Sequence, residues 1–222
     1  MRLLAANKRS QGAALKKQTL VTYSNPNSVI SDQFRTIRAN LHFLTKENTS
    51  KLFLITSPKE GEGKSTMAAN LAVSMAQQKD KVLLIDANLR EPVIHDIFNI
   101  QNTGGLTGVL ENEVTFEEAV YQTRIENLDI LTSGAALSNF VELLGNQKMK
   151  NLLTTLSACY DTILIDGPSV LTSPETRVLS TYSEGVILIL KRGKTEIEKI
   201  EEAKRVLDIA EAKLVGVVMN EK

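Results

Sequence analysis

A glycine-rich segment that ends in lysine and serine could bind phosphate groups. It spans residues 57–66, reads SPKEGEGKST, and directly follows the apolar run LFLIT at residues 52–56. A buried strand that breaks into such a turn lets successive backbone N–H groups converge on phosphate oxygens, and the following helix directs its positive dipole end there. The residues expected to face the phosphates are Gly61, Glu62, Gly63, Lys64, Ser65 and Thr66.

The lysine and serine make this prediction more specific than a glycine-rich turn alone would. Lys64 would reach the outer phosphates of a nucleoside triphosphate, and the hydroxyl of Ser65 would hold Mg²⁺. The usual pattern has a glycine where this chain has Pro58. Because proline does not adopt positive φ, the first corner of the loop must differ. A plain strand-to-helix turn would not explain the paired lysine and serine, so the segment predicts a site for a nucleoside triphosphate and Mg²⁺.

Two aspartates follow strand-like runs elsewhere in the chain. Asp86 ends the run KVLLID, and Asp166 ends the run DTILID. Ligands of open α/β sheets bind at the carboxyl ends of the strands, so both carboxylates can lie beside a Mg²⁺ held at Ser65, directly or through water. Each aspartate alone could be a helix N-cap. Together with the phosphate-binding turn, they indicate metal ligands.

The composition argues against several other classes of protein. The 222 residues carry 26 basic and 26 acidic side chains, so no overall field favours nucleic acid. The single cysteine, Cys159, allows no internal disulfide and fits a reducing compartment. No apolar run approaches the roughly 20 residues of a membrane span, and the first residues lack a signal-peptide core. We therefore expect a cytosolic protein.

Alternating strand-like and helix-like runs predict how the site residues are positioned. Six short apolar runs are typical of buried parallel strands: LFLIT (52–56), KVLLID (81–86), NLDILT (127–132), DTILID (161–166), GVILIL (185–190) and LVGVVM (214–219). Helical patterns occupy residues 65–78, 140–156, 197–210 and, outside the sheet core, 28–46. We predict an α/β fold: a single doubly wound, mostly parallel sheet with helices on both faces.

The beginning of the chain differs from the rest in charge. Residues 1–31 contain no acid, and their basic side chains are Arg2, Lys8, Arg9, Lys16 and Lys17. We expect residues 1–24 to form a flexible basic tail and residues 25–222 to form one P-loop nucleotide-binding domain. The alternative to a solvated tail is a contact with an anionic membrane face, worth about 1 kcal/mol per cation.

Three segments carry a resemblance to a known family. They are VLLIDANLREP (82–92), ILIDGPSVL (163–171) and SDQFRTIRAN (31–40). The first resembles the strand-borne Asp-x-Asp-x-Arg motif of bacterial tyrosine kinases of the polysaccharide co-polymerase type. The second resembles their Walker B motif, and the third their N-terminal Glu-x-x-Arg-x-x-Arg helix motif. The likeness spans roughly residues 23–220 and implies that the P-loop domain is a kinase domain.

The resemblance implies roles for the residues around the phosphates. Lys64, Ser65 and Thr66 would bind the phosphates of ATP and the Mg²⁺ ion. Asp86 would lie beside the metal and help to activate the attacking tyrosine hydroxyl. Asp166 would be the Walker B carboxylate. Phosphoryl transfer depends mainly on position and positive charge, which this set of residues would supply.

The resemblance also implies roles for residues farther from the phosphates. Arg90 would stabilise charge or lie at an interface, and Asn220 would hydrogen-bond the adenine edge. Asp32, Arg35 and Arg38 occupy the helix motif through which a subunit would reach its neighbour's site in a homo-oligomeric ring. Such a ring would let the tyrosines of one subunit enter the active site of the next.

This chain departs from the family pattern at a catalytic position. Asn88 stands where the motif has its second aspartate, and an amide accepts no proton at neutral pH and binds Mg²⁺ more weakly than a carboxylate. If that position supplies the base, transfer slows by about 10²–10⁴-fold, although Asp86 can carry the role alone. The family usually ends in a tyrosine cluster, whereas the four tyrosines here are scattered, and Tyr23 is the best acceptor among them.

Three functions stay open on these residues. The favoured one is a cytoplasmic protein-tyrosine kinase for capsule or exopolysaccharide synthesis, activated by a membrane-embedded co-polymerase partner that would hold it at the inner membrane face. The second is a nucleotide-binding regulatory subunit of the same machinery, favoured by Asn88. The third is a positioning ATPase of the partition or division type, supported only by Lys59, which is otherwise a surface charge.

Overall fold

The computed structural model describes residues 19–44, 51–135 and 139–221. The strands are β1 (Lys51–Thr56), β2 (Val82–Asp86), β3 (Tyr121–Gln122), β4 (Leu128–Leu131), β5 (Thr162–Asp166), β6 (Gly185–Lys191) and β7 (Leu214–Asn220). The helices are α1 (Val21–Ser24), α2 (Val29–Leu44), α3 (Lys64–Ala76), α4 (Ile94–Phe98), α5 (Gly105–Leu110), α6 (Phe116–Ala119), α7 (Phe140–Gly145), α8 (Gln147–Ser157), α9 (Glu175–Tyr182) and α10 (Ile197–Ile209).

The strands form one sheet in the order β3-β4-β2-β5-β1-β6-β7. All neighbouring pairs are parallel except β3 and β4, which are antiparallel. All six predicted strands are present, and the prediction of a doubly wound, mostly parallel α/β sheet is confirmed. We did not predict β3, because its two residues are too few to give a periodic pattern.

Helices cover both faces of the sheet, as predicted. The side chains of β1 alternate: Leu52 and Leu54 belong to one buried apolar cluster, and Phe53 and Ile55 belong to the other. The first cluster includes apolar side chains of α5, α7, α8, α9 and α10, and the second those of α2, α3 and α4. Burial on both faces explains why these strands read as continuous apolar runs rather than alternating ones.

The helical pattern at residues 140–156 is interrupted, which the sequence reasoning did not predict. Two helices, α7 and α8, meet at Asn146. The backbone of Asn146 is extended, and its side-chain oxygen accepts a hydrogen bond from the backbone N–H of Met149 at 3.1 Å. This N-cap begins α8 as a separate helix. The apolar spacing therefore continues through residues 140–156, although the helical conformation is interrupted at Asn146.

The prediction of a flexible tail at residues 1–24 is wrong for residues 19–24. Residues 19–24 pack on α3: Leu20 is fully buried, and α1 follows it. Thr22 donates its backbone N–H to Oδ1 of Asn70 at 3.1 Å, and Asn70 donates its amide to the backbone oxygen of Thr19 at 2.8 Å. An asparagine on α3 therefore holds this segment in place. Residues 1–18 lie outside the described residues.

The N-terminal helix predicted at residues 28–46 is present as α2, and residues 45 and 46 lie outside the described ranges. It is less separate from the core than expected, because Phe34 and Leu41 are buried in the same cluster as Phe53 of β1. In the described part of the chain, no helix has both the length and the apolar character needed to cross a membrane.

Candidate functional site

The turn between β1 and α3 has the backbone of a phosphate-binding loop. Gly61 and Gly63 have φ angles of 74° and 90°, in the left-handed region that favours glycine. These glycines make the loop's left-handed corners, so Pro58 does not need a positive φ. A Cβ at residue 63 would also come within 2.3 Å of Nδ2 of Asn220. Since no side chain caps α3, its first N–H groups are available to an anion.

The lysine and serine predicted to bind phosphate lie at the start of α3. Lys64 and Ser65 are each only 7% exposed, whereas Thr66 is exposed. Among the described residues, no acidic side chain occupies the first turn of α3. The helix dipole and the buried ammonium group of Lys64 therefore give this corner of the molecule a local positive potential.

The two strand-ending aspartates lie side by side. Asp86 of β2 and Asp166 of β5 are paired in register at the carboxyl ends of neighbouring parallel strands. Both are fully buried, with 0% of their surface exposed. Burial raises the pKa of each carboxyl group, and the neighbouring Asp166 raises the pKa of Asp86 further. Two adjacent carboxyl groups in such a place favour a cation or a shared proton between them.

Asp86 is held by backbone donors. Its Oδ1 accepts from the N–H of Asn88 at 3.2 Å, and its Oδ2 accepts from the N–H groups of Val93 and Ile94 at 3.2 and 3.1 Å. The carboxylate thus satisfies the start of α4, which is the helix-capping role considered as the alternative to metal binding. These contacts fix its orientation and leave a free lone pair on Oδ1, so the two roles are compatible.

Asp166 differs from Asp86 in having no hydrogen-bond partner for either carboxyl oxygen among the described residues. The ammonium of Lys64 and the hydroxyl of Ser65 are near enough to oppose the rise in its pKa. A fully buried carboxyl group without a donor is costly, and such groups in proteins usually bind an ion, a water molecule or a ligand. Asp166 therefore points to a ligand between β5 and the start of α3.

The donor set at this edge fits Mg²⁺ only together with phosphate. In the described ranges no three His, Cys, Asp or Glu side chains gather closely enough to hold a metal ion themselves. Oxygens from Ser65, Asp86 and Asp166 could supply part of an octahedral shell. Mg²⁺ in nucleotide sites is bound in this way, by a few protein oxygens, water and phosphate.

The segment after β2 is ordered by side-chain contacts. Asn88 is buried and donates its amide to the backbone oxygen of Glu91 at 2.9 Å. Arg90 donates from Nε and Nη2 to Oε1 of Glu175 at 3.1 and 2.6 Å, and its guanidinium lies 5.1 Å from the ring centre of Phe140. Glu175 is buried, and its Oε2 has no partner in the described part of the chain. Arg90 is therefore held at the same edge of the sheet as the two aspartates.

Asn220 lies against the phosphate-binding loop. Its Nδ2 donates to the backbone oxygen of Glu62 at 2.9 Å. The predicted contact between Asn220 and an adenine base stays a prediction. The side chain of Glu62, which we predicted only through its backbone, is buried and bonded to the hydroxyl of Thr195. Sequence reasoning missed this contact, because the two residues lie 133 positions apart.

The helix motif of α2 lies apart from these residues. Arg35 contacts Asp32 and the backbone oxygen of Pro26, while Arg38 donates to the backbone oxygen of Ser74 on α3. Ser74 follows Lys64 by ten residues, which is about 15 Å along the helix axis. Within one chain, Arg38 is therefore held well away from the phosphate-binding loop, while Arg35 is bonded to Asp32 and Pro26.

Comparisons with known proteins give consistent results. A family model described as an AAA domain matches residues 50–213. The tyrosine-protein kinase YwqD of Bacillus subtilis (strain 168) is 41% identical over 217 residues, which are 98% of this chain and 91% of that protein.

Solved structures extend these similarities to three dimensions. The chimeric protein CapA2B2 is 36% identical and superposes with a TM-score of 0.89, covering 95% of this chain and 93% of that one. The kinase domain of the Escherichia coli tyrosine kinase ETK is 26% identical with a TM-score of 0.87, covering 90% and 79%.

Proposed function

This chain belongs to the bacterial tyrosine-protein kinases, and we propose that it performs their phosphotransfer with ATP and Mg²⁺ at the carboxyl edge of its sheet. One observation carries this proposal. Asp86 and Asp166 lie side by side and buried, next to the uncapped start of α3 with its Lys64 and Ser65. This arrangement has positive groups for phosphate and oxygen groups for a cation within one small region.

The residues divide the work of phosphoryl transfer. The backbone of residues 61–65 and the ammonium of Lys64 would bind the β- and γ-phosphates, while Ser65, Asp86 and Asp166 would bind Mg²⁺ directly or through water. Mg²⁺ supplies charge that neutralises the phosphate oxygens when it is bound. Because the transition state is dominated by positioning and charge, this set suffices for catalysis.

The acceptor is a tyrosine side chain of a protein. Its hydroxyl oxygen would form a bond to the γ-phosphorus while the bond from that phosphorus to the β–γ bridging oxygen breaks, and ADP leaves. Asp86, held in place by three backbone donors, would accept the proton of the hydroxyl. Lys64 and Arg90 would stabilise the negative charge of the transferring group.

The environment of Asn88 favours a second candidate, a nucleotide-binding regulatory subunit with little transfer activity. The amide of Asn88 is used to close the turn at Glu91 and accepts no proton. The two candidates differ in whether Asp86 alone can activate the acceptor hydroxyl.

A phosphotransfer assay separates the two candidates. The chain would be mixed with Mg²⁺-ATP and a tyrosine-containing protein acceptor, and phosphotyrosine would be measured for the unchanged chain, Asn88→Asp and Lys64→Met. We expect phosphotyrosine from the unchanged chain, faster transfer by Asn88→Asp, and none above background from Lys64→Met. Transfer by Asn88→Asp alone would instead identify the unchanged chain as a regulatory subunit.

The cellular role we propose is regulation of capsule or exopolysaccharide synthesis, supported by the family resemblance. A membrane-embedded co-polymerase would activate the kinase through a cytoplasmic segment and hold it at the inner face of the membrane. Adding a synthetic peptide of such a segment should raise the transfer rate of the unchanged chain. A rate that stays the same with every segment tried from the co-polymerase of the same organism would contradict activation by this kind of partner.

We also propose that the chain forms a ring in which the helix motif of one subunit faces the site of the next. Its support is that Arg38 lies too far along α3 from Lys64 to act on its own site, while Arg35 is bonded to Asp32 and Pro26. Changing both to alanine should convert the ring to monomers in light scattering. The double variant Lys204→Ala/Arg205→Ala, on the exposed face of α10, is the matched control. An unchanged mass for the first variant would contradict the ring interface.

A further inference from the structure

An acidic side chain is buried inside the phosphate-binding loop. Glu62 lies between Gly61 and Gly63, and only 3% of its surface is exposed. A carboxylate in this position opposes the binding of phosphate, because both are negatively charged. A neutral residue at this position would favour anion binding more than a glutamate does. The burial of the Glu62 carboxylate therefore needs a physical explanation.

The carboxylate of Glu62 connects two separate turns. Its Oε2 accepts from the backbone N–H of Lys59 at 2.9 Å, which closes the loop on itself. Its Oε1 accepts from the hydroxyl of Thr195, in the turn between β6 and α10. The same hydroxyl oxygen accepts from the backbone N–H of Lys191 at 2.8 Å. A continuous chain of hydrogen bonds therefore runs from the end of β6 to the phosphate-binding loop.

The end of β7 supports the loop at a second point. Asn220 donates its amide to the backbone oxygen of Glu62, and its own backbone oxygen accepts from the N–H of Arg192 at 2.9 Å. The side chain and the backbone of Glu62 are thus both bound, by two elements that lie next to each other in the sheet.

We infer that Glu62 is a positioning residue that keeps the loop in its phosphate-receiving conformation before nucleotide arrives. The inference rests on the proposed function, since it concerns the affinity of the same site. A loop already fixed in the bound conformation loses less freedom when phosphate binds, and the apparent affinity rises with the fraction of molecules in that conformation. The hydrogen bonds through Thr195 outweigh the unfavourable charge of the carboxylate.

Two substitutions at Glu62 separate the charge from the contacts. Glu62→Gln and Glu62→Ala both remove the negative charge, but only glutamine keeps a group that can bond to Thr195 and Lys59. We expect the alanine variant to bind Mg²⁺-ATP about tenfold more weakly than the glutamine variant in calorimetry, the effect of losing these hydrogen bonds. Equal affinities would overturn the inference.

Substitutions at Thr195 test the same connection from its other end. Thr195→Val should weaken Mg²⁺-ATP binding about tenfold, and Thr195→Ser should restore it. In the Glu62→Ala background, Thr195→Val should weaken binding far less, because the contact with Glu62 is already lost and only the bond from Lys191 remains to be removed. Thr181→Val removes a hydroxyl that bonds within α9 and is the matched control. Additive effects of the two changes would overturn the inference.

Thermal unfolding of each variant distinguishes positioning from general support of the fold. A purely structural role would lower the melting temperature while leaving the ATP affinity, measured well below that temperature, unchanged. That result for Glu62→Ala and Thr195→Val would overturn the inference and leave the proposed function intact. If the unchanged chain bound no nucleotide, the proposed function itself would fail, and the inference with it.

Discussion

The two ends of the sheet hold carboxyl groups under different conditions, with Asp129 half-buried at one end and Asp166 fully buried at the other. At the amino end, Asp129 of β4 accepts a hydrogen bond from the hydroxyl of Tyr160 at 2.8 Å, and the ammonium of Lys81 lies 4.7 Å from the centre of the Tyr160 ring. At the carboxyl end, Asp166 is fully buried and neither of its oxygens has a partner among the described residues. Each carboxyl group has a cation near it, Lys81 or Lys64, but only Asp129 has a hydrogen-bond donor within the described residues.

From this difference we infer which polar residues serve the fold and which would serve a ligand. A buried polar group with partners costs little, whereas an unpartnered carboxyl group lowers stability and persists where function needs it. Burial raises the pKa of Asp129 as well, but the Tyr160 hydroxyl and Lys81 oppose the rise. We therefore treat the amino end of the sheet as structural and the carboxyl end as functional, and each prediction below tests that division.

The largest expected effect is at Lys64. Changing Lys64 to methionine removes the buried ammonium at the start of α3, so Mg²⁺-ATP affinity should fall about 100-fold or more in calorimetry. Lys59→Met is the matched control, because Lys59 is exposed and pairs with Glu196 at 3.2 Å on the surface. It should change the affinity less than about threefold, as expected for an exposed ion pair. Tight binding retained by Lys64→Met would refute the assignment of the phosphate site.

A smaller effect is expected at the ion pair between Arg90 and Glu175, at the carboxyl end of the sheet. Arg90→Ala leaves the buried Glu175 without its cation and should lower the free energy of unfolding by about 2 kcal/mol. Adding Glu175→Gln should recover part of that loss, since the uncompensated charge is removed. Urea denaturation measures both. A double variant as unstable as the single one would show that the packing of Arg90 on Phe140, rather than its charge, holds this segment.

The smallest effect is expected at the amino end. Tyr160→Phe removes the donor to Asp129 and should lower the free energy of unfolding by about 1 kcal/mol, with Mg²⁺-ATP affinity unchanged. Tyr182→Phe, on α9, is the matched control and should have less effect on stability. A loss of ATP affinity in Tyr160→Phe would show that the two ends of the sheet are coupled, and the division into structural and functional ends would be wrong.

The sheet could be predicted because each of the six strands has its own recognisable apolar run in the sequence. Each of the six predicted strands is a short apolar run, and five of them are mostly buried, whereas β7 at the edge of the sheet is partly exposed. The structure places each strand within one or two residues of its expected bounds. The missed elements are short or depend on partners. Strand β3 has two residues, α1 depends on Asn70 of α3, and the helices α4, α5, α6 and α9, which we did not predict, have four to eight residues. Periodicity cannot detect elements whose stability comes from distant contacts.

The parts of the candidate site that could be predicted are those whose positions follow from the sequence order and from the direction of the strands. The glycines, Lys64 and Ser65 are consecutive, and two aspartates at the ends of parallel strands must lie at one edge of the sheet. The contacts of Glu62 with Thr195 and of Arg90 with Glu175 could not be predicted, because they join residues 133 and 85 positions apart. The register β2–β5, which aligns Asp86 with Asp166, also emerges only from the folded sheet.

The most direct test of this account is the thermal unfolding of Asp166→Asn, with and without Mg²⁺-ATP. Without nucleotide, the variant should unfold within a few degrees of the unchanged chain, because the lower cost of burying an amide is offset by the loss of the charge opposite Lys64. With saturating Mg²⁺-ATP, the unchanged chain should gain stability and the variant should gain little. A variant that is less stable without nucleotide, yet is stabilised fully by Mg²⁺-ATP, would show that Asp166 serves the fold and not the ligand.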